Sequence, residues 1–193
     1  MSTAQYNGYD QPHWELTGTQ PKDKSYEVRK YPRAVWTSTD QTAPNKGSSS
    51  SFRRLADYIG GVNAKNEKIS MTVPVIQQIP NLSNQLQNAT RKMMFYVPHQ
   101  HQISPPKPTH PQVQNEVMEE TVAFVRRFGG YAKTNDWQRE ASLLYDSLMK
   151  NGVKDTMVDK SVIYAVSYNS PYRPVFRHNE VWLLLDKGVV NEQ

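Results

Sequence analysis

The sequence predicts an α+β fold: one twisted, antiparallel, barrel-like sheet carrying two helices, built as a pseudo-two-fold repeat of strand-helix-strand-strand. Three observations lead there. Several short stretches alternate apolar and polar residues with a period of two, as half-buried strands do. Two others place apolar residues at the 3.6-residue spacing of a helical face. These units follow one another in the same order twice, with little residue identity between the copies. Such a doubling describes two similar halves whose sheets join and whose helices pack on them. A joined sheet of that size curls toward a barrel.

Residues 1–24 mix Gln, Asn, Gly, Thr and Pro around Tyr6, Tyr9, His13 and Trp14 without a period. They read as a flexible N-terminal arm, with Trp14 and Leu16 as its apolar docking points. The domain is expected over 25–187 and a C-terminal tail over 188–193. Tyr26-Glu27-Val28-Arg29 alternates as a strand, Pro32 interrupts it and Ala34 to Ser38 resumes it. Ser48 to Ser51 offer helix caps, and Phe52, Leu55, Ala56 and Ile59 then fall at i, i+3, i+4 and i+7 until Gly60-Gly61 stops the helix. Strands are expected over Ile69 to Val75 and over Lys92 to Val97, joined by a polar hairpin loop at Asn81 to Thr90. Pro98 to Pro111 is a connector with five prolines and three histidines.

The second copy begins with strand-like residues from Val113 to Phe128, followed by Gly129-Gly130. Asn135 and Gln138 offer a capping box for a helix whose Trp137, Ala141, Leu144 and Leu148 share one face, and Gly152 ends it. Strands at Val162 to Tyr168 and Val181 to Leu185 close the pattern, with Asn169-Ser170-Pro171 turning between them.

Composition narrows the function. The net charge of +5, from 23 basic and 18 acidic residues, comes without any Lys/Arg run, so nucleic acid is not an expected partner. The chain has no apolar stretch long enough to cross a bilayer as a helix, and Met1 to Tyr9 lacks the charged and apolar regions of a secretory signal. Without cysteine there are no disulfides, thiolate nucleophiles or cysteine metal sites, which fits a reducing, cytoplasmic setting. No Gly-x-Ser-x-Gly, phosphate-cradling glycine loop or His-Glu-x-x-His occurs, and an enzyme is not expected. The adjacent Glu119-Glu120 would point to opposite faces of a strand.

Several segments together resemble the SOUL/heme-binding protein family, closer to its SOUL, heme-binding protein 2-like branch. They are Tyr26-Glu27-Val28-Arg29, Tyr58-Ile59-Gly60-Gly61-Val62-Asn63, Ile69-Ser70-Met71-Thr72-Val73-Pro74-Val75, Phe128-Gly129-Gly130-Tyr131-Ala132, Tyr168-Asn169-Ser170-Pro171 and Arg177-His178-Asn179-Glu180-Val181-Trp182-Leu183. The resemblance implies a barrel-like sheet with two helices, similar to bacterial effector-binding drug-sensor domains. It also implies noncovalent binding of heme or a related porphyrin without catalysis, in a surface cleft by the first helix.

A tetrapyrrole needs an apolar surface for its ring and cations for its propionates. The first helix offers Phe52, Leu55, Ala56, Tyr58 and Ile59 beside Arg53 and Arg54, although part of that face must pack on the sheet. The resemblance adds a basic residue in the loop before the last strand, here Arg173, with Arg177 nearby. Arginine suits the task because its planar fork can bond both oxygens of a carboxylate. Some SOUL-branch members are associated with a ligating histidine at the position of Lys30, so that ligand is missing here. His99 and His101 have the spacing of a metal pair on a strand but follow Pro98 in a loop, and no metal site is expected; His178 is expected to be structural. Two other function classes remain open: a receptor for another planar amphiphile, and a protein-interaction module. The resemblance ties the latter to a BH3-like segment at Leu148 to Asp155 and an apoptosis-regulator partner, whereas Gly152 alone reads it as a helix end.

Overall fold

The computed structural model describes residues 4–41, 47–80, 91–170, 172–173, 175–186 and 188. The chain opens with a small hairpin, β1 (Gln5–Tyr6) and β2 (Tyr9–Asp10), turned by Asn7 and Gly8 at positive φ. It continues through β3 (Glu15–Leu16), β4 (Glu27–Tyr31), β5 (Ala34–Gln41), α1 (Gly47–Ile59), β6 (Val75–Pro80) and β7 (Arg91–Tyr96). The second half holds β8 (Val113–Met118), β9 (Thr121–Phe128), α2 (Thr134–Lys150), β10 (Val158–Ser167) and β11 (Asn179–Leu185).

One antiparallel sheet runs in the order β3-β4-β9-β11-β10-β6-β7-β5-β8. Its centre lies between β10 and β6, and the order reads as a mirrored repeat outward from there. The strands that lead each half are exchanged: β4 pairs with β9 of the second half, and β8 pairs with β5 of the first. The expected barrel does not close. Strands β3 and β8 stand at the two ends of the sheet, each with one strand partner among the described residues.

Alternation along the strands divides the core. On one face, α1 covers β5, β7 and β8, burying Leu55 and Tyr58 against Met93, Phe95 and Val113. On the same strand β7, Met94 and Tyr96 join a cluster on the other face. Helix α2 covers β9, β10 and β11 through Ala141, Leu144 and Leu148, the face that the helical spacing predicted. Trp182, between Val181 and Leu183 of that cluster, points the opposite way. Among the described residues no helix covers the second face: Tyr31, Trp36, Met94, Val125 and Trp182 come from both halves, and Tyr6 and Trp14 close over them.

Several local expectations change. Helix α1 starts at Gly47, so Ser48 to Ser51 lie within its first turns instead of capping it from outside. Helix α2 is capped earlier than expected: the Lys133 N–H donates to Asp136 Oδ2 at 2.8 Å, in place of the Asn135/Gln138 box. The strand expected from Ile69 begins only at Val75. Before it, the chain is spoken for by other elements: Ile69 N–H bonds the Ile59 carbonyl (2.8 Å), Thr72 Oγ1–H the Tyr96 carbonyl (2.6 Å) and Val73 N–H the Asp10 carbonyl (2.9 Å). Val113 to Phe128 divides into two strands, with Glu119 and Glu120 in the turn. The loop expected at Asn81 to Thr90 lies outside the described residues, as does the tail beyond Gly188.

The arm expected over 1–24 is docked from Ala4 onward. Strand β3 pairs Glu15 with Lys30 and Leu16 with Arg29; Trp14 lies 4.0 Å from the Arg29 guanidinium; and Gln20 bonds both the N–H and the carbonyl of Val28 at 2.9 Å. Of the two docking points read from the sequence, Trp14 packs as expected and Leu16 stays exposed; the other anchors are single rings and amide bonds, which form no repeating stripe. Deleting residues 1–16 removes about 2–3 kcal/mol of apolar and hydrogen-bonding contact. The melting midpoint should then fall by at least about 5 °C in differential scanning calorimetry. An unchanged midpoint would mean the docking contributes nothing.

Candidate functional site

The helix face nominated for ligand contact splits in two. Leu55 is 0% exposed and Tyr58 2%; the Tyr58 hydroxyl donates to the Pro106 carbonyl at 2.8 Å. Neither can meet a ligand in this conformation, because the helix spends that stripe on the sheet. Ile59, beside them, and Ala56 are half-buried. Phe52 and Arg53 are exposed; the Phe52 ring stands edge-on to Phe95 with centroids 5.3 Å apart. Arg54 is engaged with its own fold: it donates to Thr39 Oγ1 (2.9 Å), the Asp40 carbonyl (2.7 Å) and Ser51 Oγ (3.1 Å), clasping α1 to β5. As a propionate partner it would first have to release those bonds.

The β10–β11 connection carries the other two predicted cations. Arg177 gathers carbonyls: Nη1 donates to Ser170 (2.7 Å) and Arg173 (3.0 Å), Nη2 to Asn169 (3.4 Å), and its guanidinium lies 4.5 Å from the Tyr131 ring centre. It shapes the connection. Arg173 is exposed, with Nε donating to the Val175 carbonyl at 3.1 Å. Of the basic residues nominated from the sequence, Arg53 and Arg173 are therefore the exposed ones.

Strand register relates these parts. A single cross-strand row runs Asn115–Thr37–Phe95–Val75–Ser167–Asn179–Phe128. Arg54 contacts Thr39 and Asp40, while Tyr58 reaches Asn115, so α1 runs back along β5 and its last turn arrives at the row. The β10–β11 connection leaves Ser167 toward the same end. Phe95 and Ser167 are two strands apart, about 10 Å. Lys30 pairs with Val122, six residues along β9 from Phe128 and roughly 20 Å from the row. It is ion-paired with Glu120 at 2.9 Å. A histidine at that position would not reach a ligand held between α1 and the connection. His99 is exposed and His101 buried in one turn, so they do not face a common site. Leu148, the key apolar residue of the BH3-like segment, is fully buried under α2, and Asp155 is paired with Lys160. That segment is not presented to a partner without unfolding the helix end.

Sequence reasoning missed the most heavily bonded carboxylate among the described residues. Glu180 is 0% exposed on the helix-free face. Its carboxylate accepts from Arg29 Nη1 (3.1 and 3.2 Å), His178 Nε2 (2.8 Å), Trp182 Nε1 (2.8 Å) and the Tyr168 hydroxyl (3.4 Å). Arg29 also holds Glu27 at 2.7 Å and the Tyr31 hydroxyl at 3.2 Å. The His178 ring lies stacked on Tyr168 at 4.1 Å, with Tyr6 against both. Burial by itself would raise the Glu180 carboxyl; the His178 hydrogen bond and the Arg29 charge outweigh it and hold the group below its ordinary value. Burial drives the Tyr168 hydroxyl well above its ordinary value, so it stays a donor. A carboxylate this saturated is an anchor, not a base. Residue parity carried the signal: Glu180 shares the face of Trp182, as Arg29 shares that of Tyr31.

A family model described as SOUL heme-binding protein matches residues 9–184. Human heme-binding protein 2 is 35% identical over 178 residues, spanning 90% of this chain and 84% of that protein. Mouse heme-binding protein 1 is 33% identical over 175 residues, spanning 89% and 90%. Among solved structures, a hydrolase from Listeria innocua superposes with a TM-score of 0.55 at 8% identity, covering 84% of this chain and 92% of that one. At that identity the likeness concerns fold alone.

The buried carboxylate generates a stability prediction. Its folded pKa is depressed, so its stabilisation is present above the unfolded value of 4.5 and is lost as pH falls through the folded value. Glu180→Gln should cost about 3–5 kcal/mol by stranding Arg29 in the interior. It should also flatten the acid limb of the stability–pH curve, measured by urea unfolding between pH 7 and 3. Equal acid sensitivity in wild type and variant would contradict the assignment.

Proposed function

The chain belongs to the SOUL heme-binding protein family, and from that premise we propose that it is a noncovalent carrier or buffer of heme or a related tetrapyrrole in the cytoplasm. The supporting observation is the shared end of the sheet: the last turn of α1 reaches one cross-strand row, and the β10–β11 connection leaves the sheet from that same row, on the other side of β6. The proposed ring surface is the outer side of α1, with Phe52, Ala56 and the open edge of Ile59. Arg53 and Arg173 are the proposed propionate partners, being exposed, whereas Arg54 and Arg177 are committed to protein oxygens. Part-burial of a porphyrin face at about 25 cal/mol per Å² supports micromolar binding with no axial bond to iron.

Absorbance titrations with hemin, protoporphyrin and biliverdin in parallel test the reading. Metal-free protoporphyrin should bind within about tenfold of hemin, since an axial iron bond would be worth more than the roughly 1.4 kcal/mol that factor represents. Arg173→Ala should weaken both by up to about fivefold, the span of an exposed ion pair, because both carry the same propionates. Lys30→His should change neither. Absence of a visible band with any of the three would overturn the proposal, and a marked preference for biliverdin would move it to another planar amphiphile.

A further inference from the structure

Beyond tetrapyrrole binding, we propose that the tip of the β10–β11 connection is a docking site for anionic phospholipid bilayers, inserting Tyr172 and Phe176 between headgroups with Arg173 beside lipid phosphates. Tyr172 is 92% exposed, Phe176 88% and Val175 57%. These are the side chains a soluble domain ordinarily hides, and here they sit within five residues of chain. Phe176 has φ of +52, a conformation that a bulky non-glycine residue rarely adopts. The backbone is thus held where it is by its surroundings, and what it holds outward is a phenyl ring.

Four carbonyls of the connection are also bonded within the protein, so carrying them toward the acyl boundary costs little further desolvation. The carbonyls of Asn169, Ser170 and Arg173 accept from the Arg177 guanidinium, and that of Val175 accepts from Arg173 Nε. Tyr172 N–H donates to Ser170 Oγ at 3.3 Å, and His178 N–H to Asn169 Oδ1 at 2.6 Å. Tyr131, exposed on the neighbouring turn, stacks under Arg177 and widens the apolar rim; Asn179 Nδ2 donates to the Gly130 carbonyl and keeps that turn alongside.

A bilayer fits this tip better than a protein does. A stable protein interface takes about 800 Å² from each partner, far more than a few side chains on one turn supply. Interfacial membrane binding needs only a few apolar groups at the acyl boundary, helped by cations near anionic lipid. Two aromatic rings with an exposed arginine between them, on a chain of net charge +5, match that requirement.

The full chain without heme would be sedimented with vesicles of phosphatidylcholine alone and with about one-third phosphatidylserine. Several-fold greater recovery on the anionic vesicles, lost at high salt, is expected. The double variant Tyr172→Ser/Phe176→Ser should fall to the phosphatidylcholine level with an unchanged thermal midpoint, since both side chains are already solvated. Phe176→Trp should gain fluorescence that brominated lipid quenches. Equal recovery on both vesicle types, undiminished binding by the double variant, or added Phe176→Trp emission that brominated lipid leaves unquenched would overturn the proposal. These arms contain no porphyrin, so failure here and failure of heme binding are separate results.

Discussion

The Arg29–Glu180 contact is the constraint on which the rest of the structure depends. Each half of the molecule lends its leading strand to the other, and β4 lies in the second half with β9 as neighbour. Arg29 on β4 reaches the fully buried Glu180 on β11, across the intervening β9. Two buried charges are tolerable only when every lone pair and N–H finds a partner. The surrounding Tyr31, Tyr168, His178 and Trp182 supply those partners, and all must hold their places at once. An ion pair of this kind gives specificity more than net stability: a slip of β4 by one residue would turn Arg29 to the other face and strand the carboxylate.

That same network explains the docking of the N-terminal segment. Trp14 covers the Arg29 guanidinium, and Tyr6 closes the stacked Tyr168 and His178 rings. The helix-free face would otherwise expose a charged cluster framed by aromatics. Both helices sit on the opposite face, so a short hairpin and two rings do the work of a third helix.

Most of the architecture was legible in the sequence, and the places where it was not have physical reasons. Strand alternation and helical spacing report which residues must be buried; Leu144 and Leu148 under α2, and Leu55 under α1, follow from period alone. Period does not say which partner buries them. The stripe of α1 that suits a porphyrin ring is the stripe the sheet takes, leaving Phe52, Arg53 and Ala56 as the accessible remainder. Likewise a sequence shows that Arg54 and Arg177 are basic, but not that backbone carbonyls of β5 and of the β10–β11 connection have already claimed them. The barrel was over-read because closure depends on pairing between the end strands, which no local pattern encodes.

The exchange of leading strands also shapes how the chain is made. Glu27 pairs with Val125, and β11, the last of the described strands in chain order, is wedged between β9 and β10. Contacts so distant in sequence form slowly, because long loops must close before they are rewarded. A nascent chain that has emerged only as far as α2 has β4 and β9 in hand but lacks both Glu180 and the strand that carries Trp182. Until β11 emerges, Arg29 has only the half-exposed Glu27 as counter-ion and the aromatic face stays open to other chains. The buried network is therefore assembled only when β11 joins the sheet, and the exposure of the aromatic face on the ribosome is set by that strand's place in the chain.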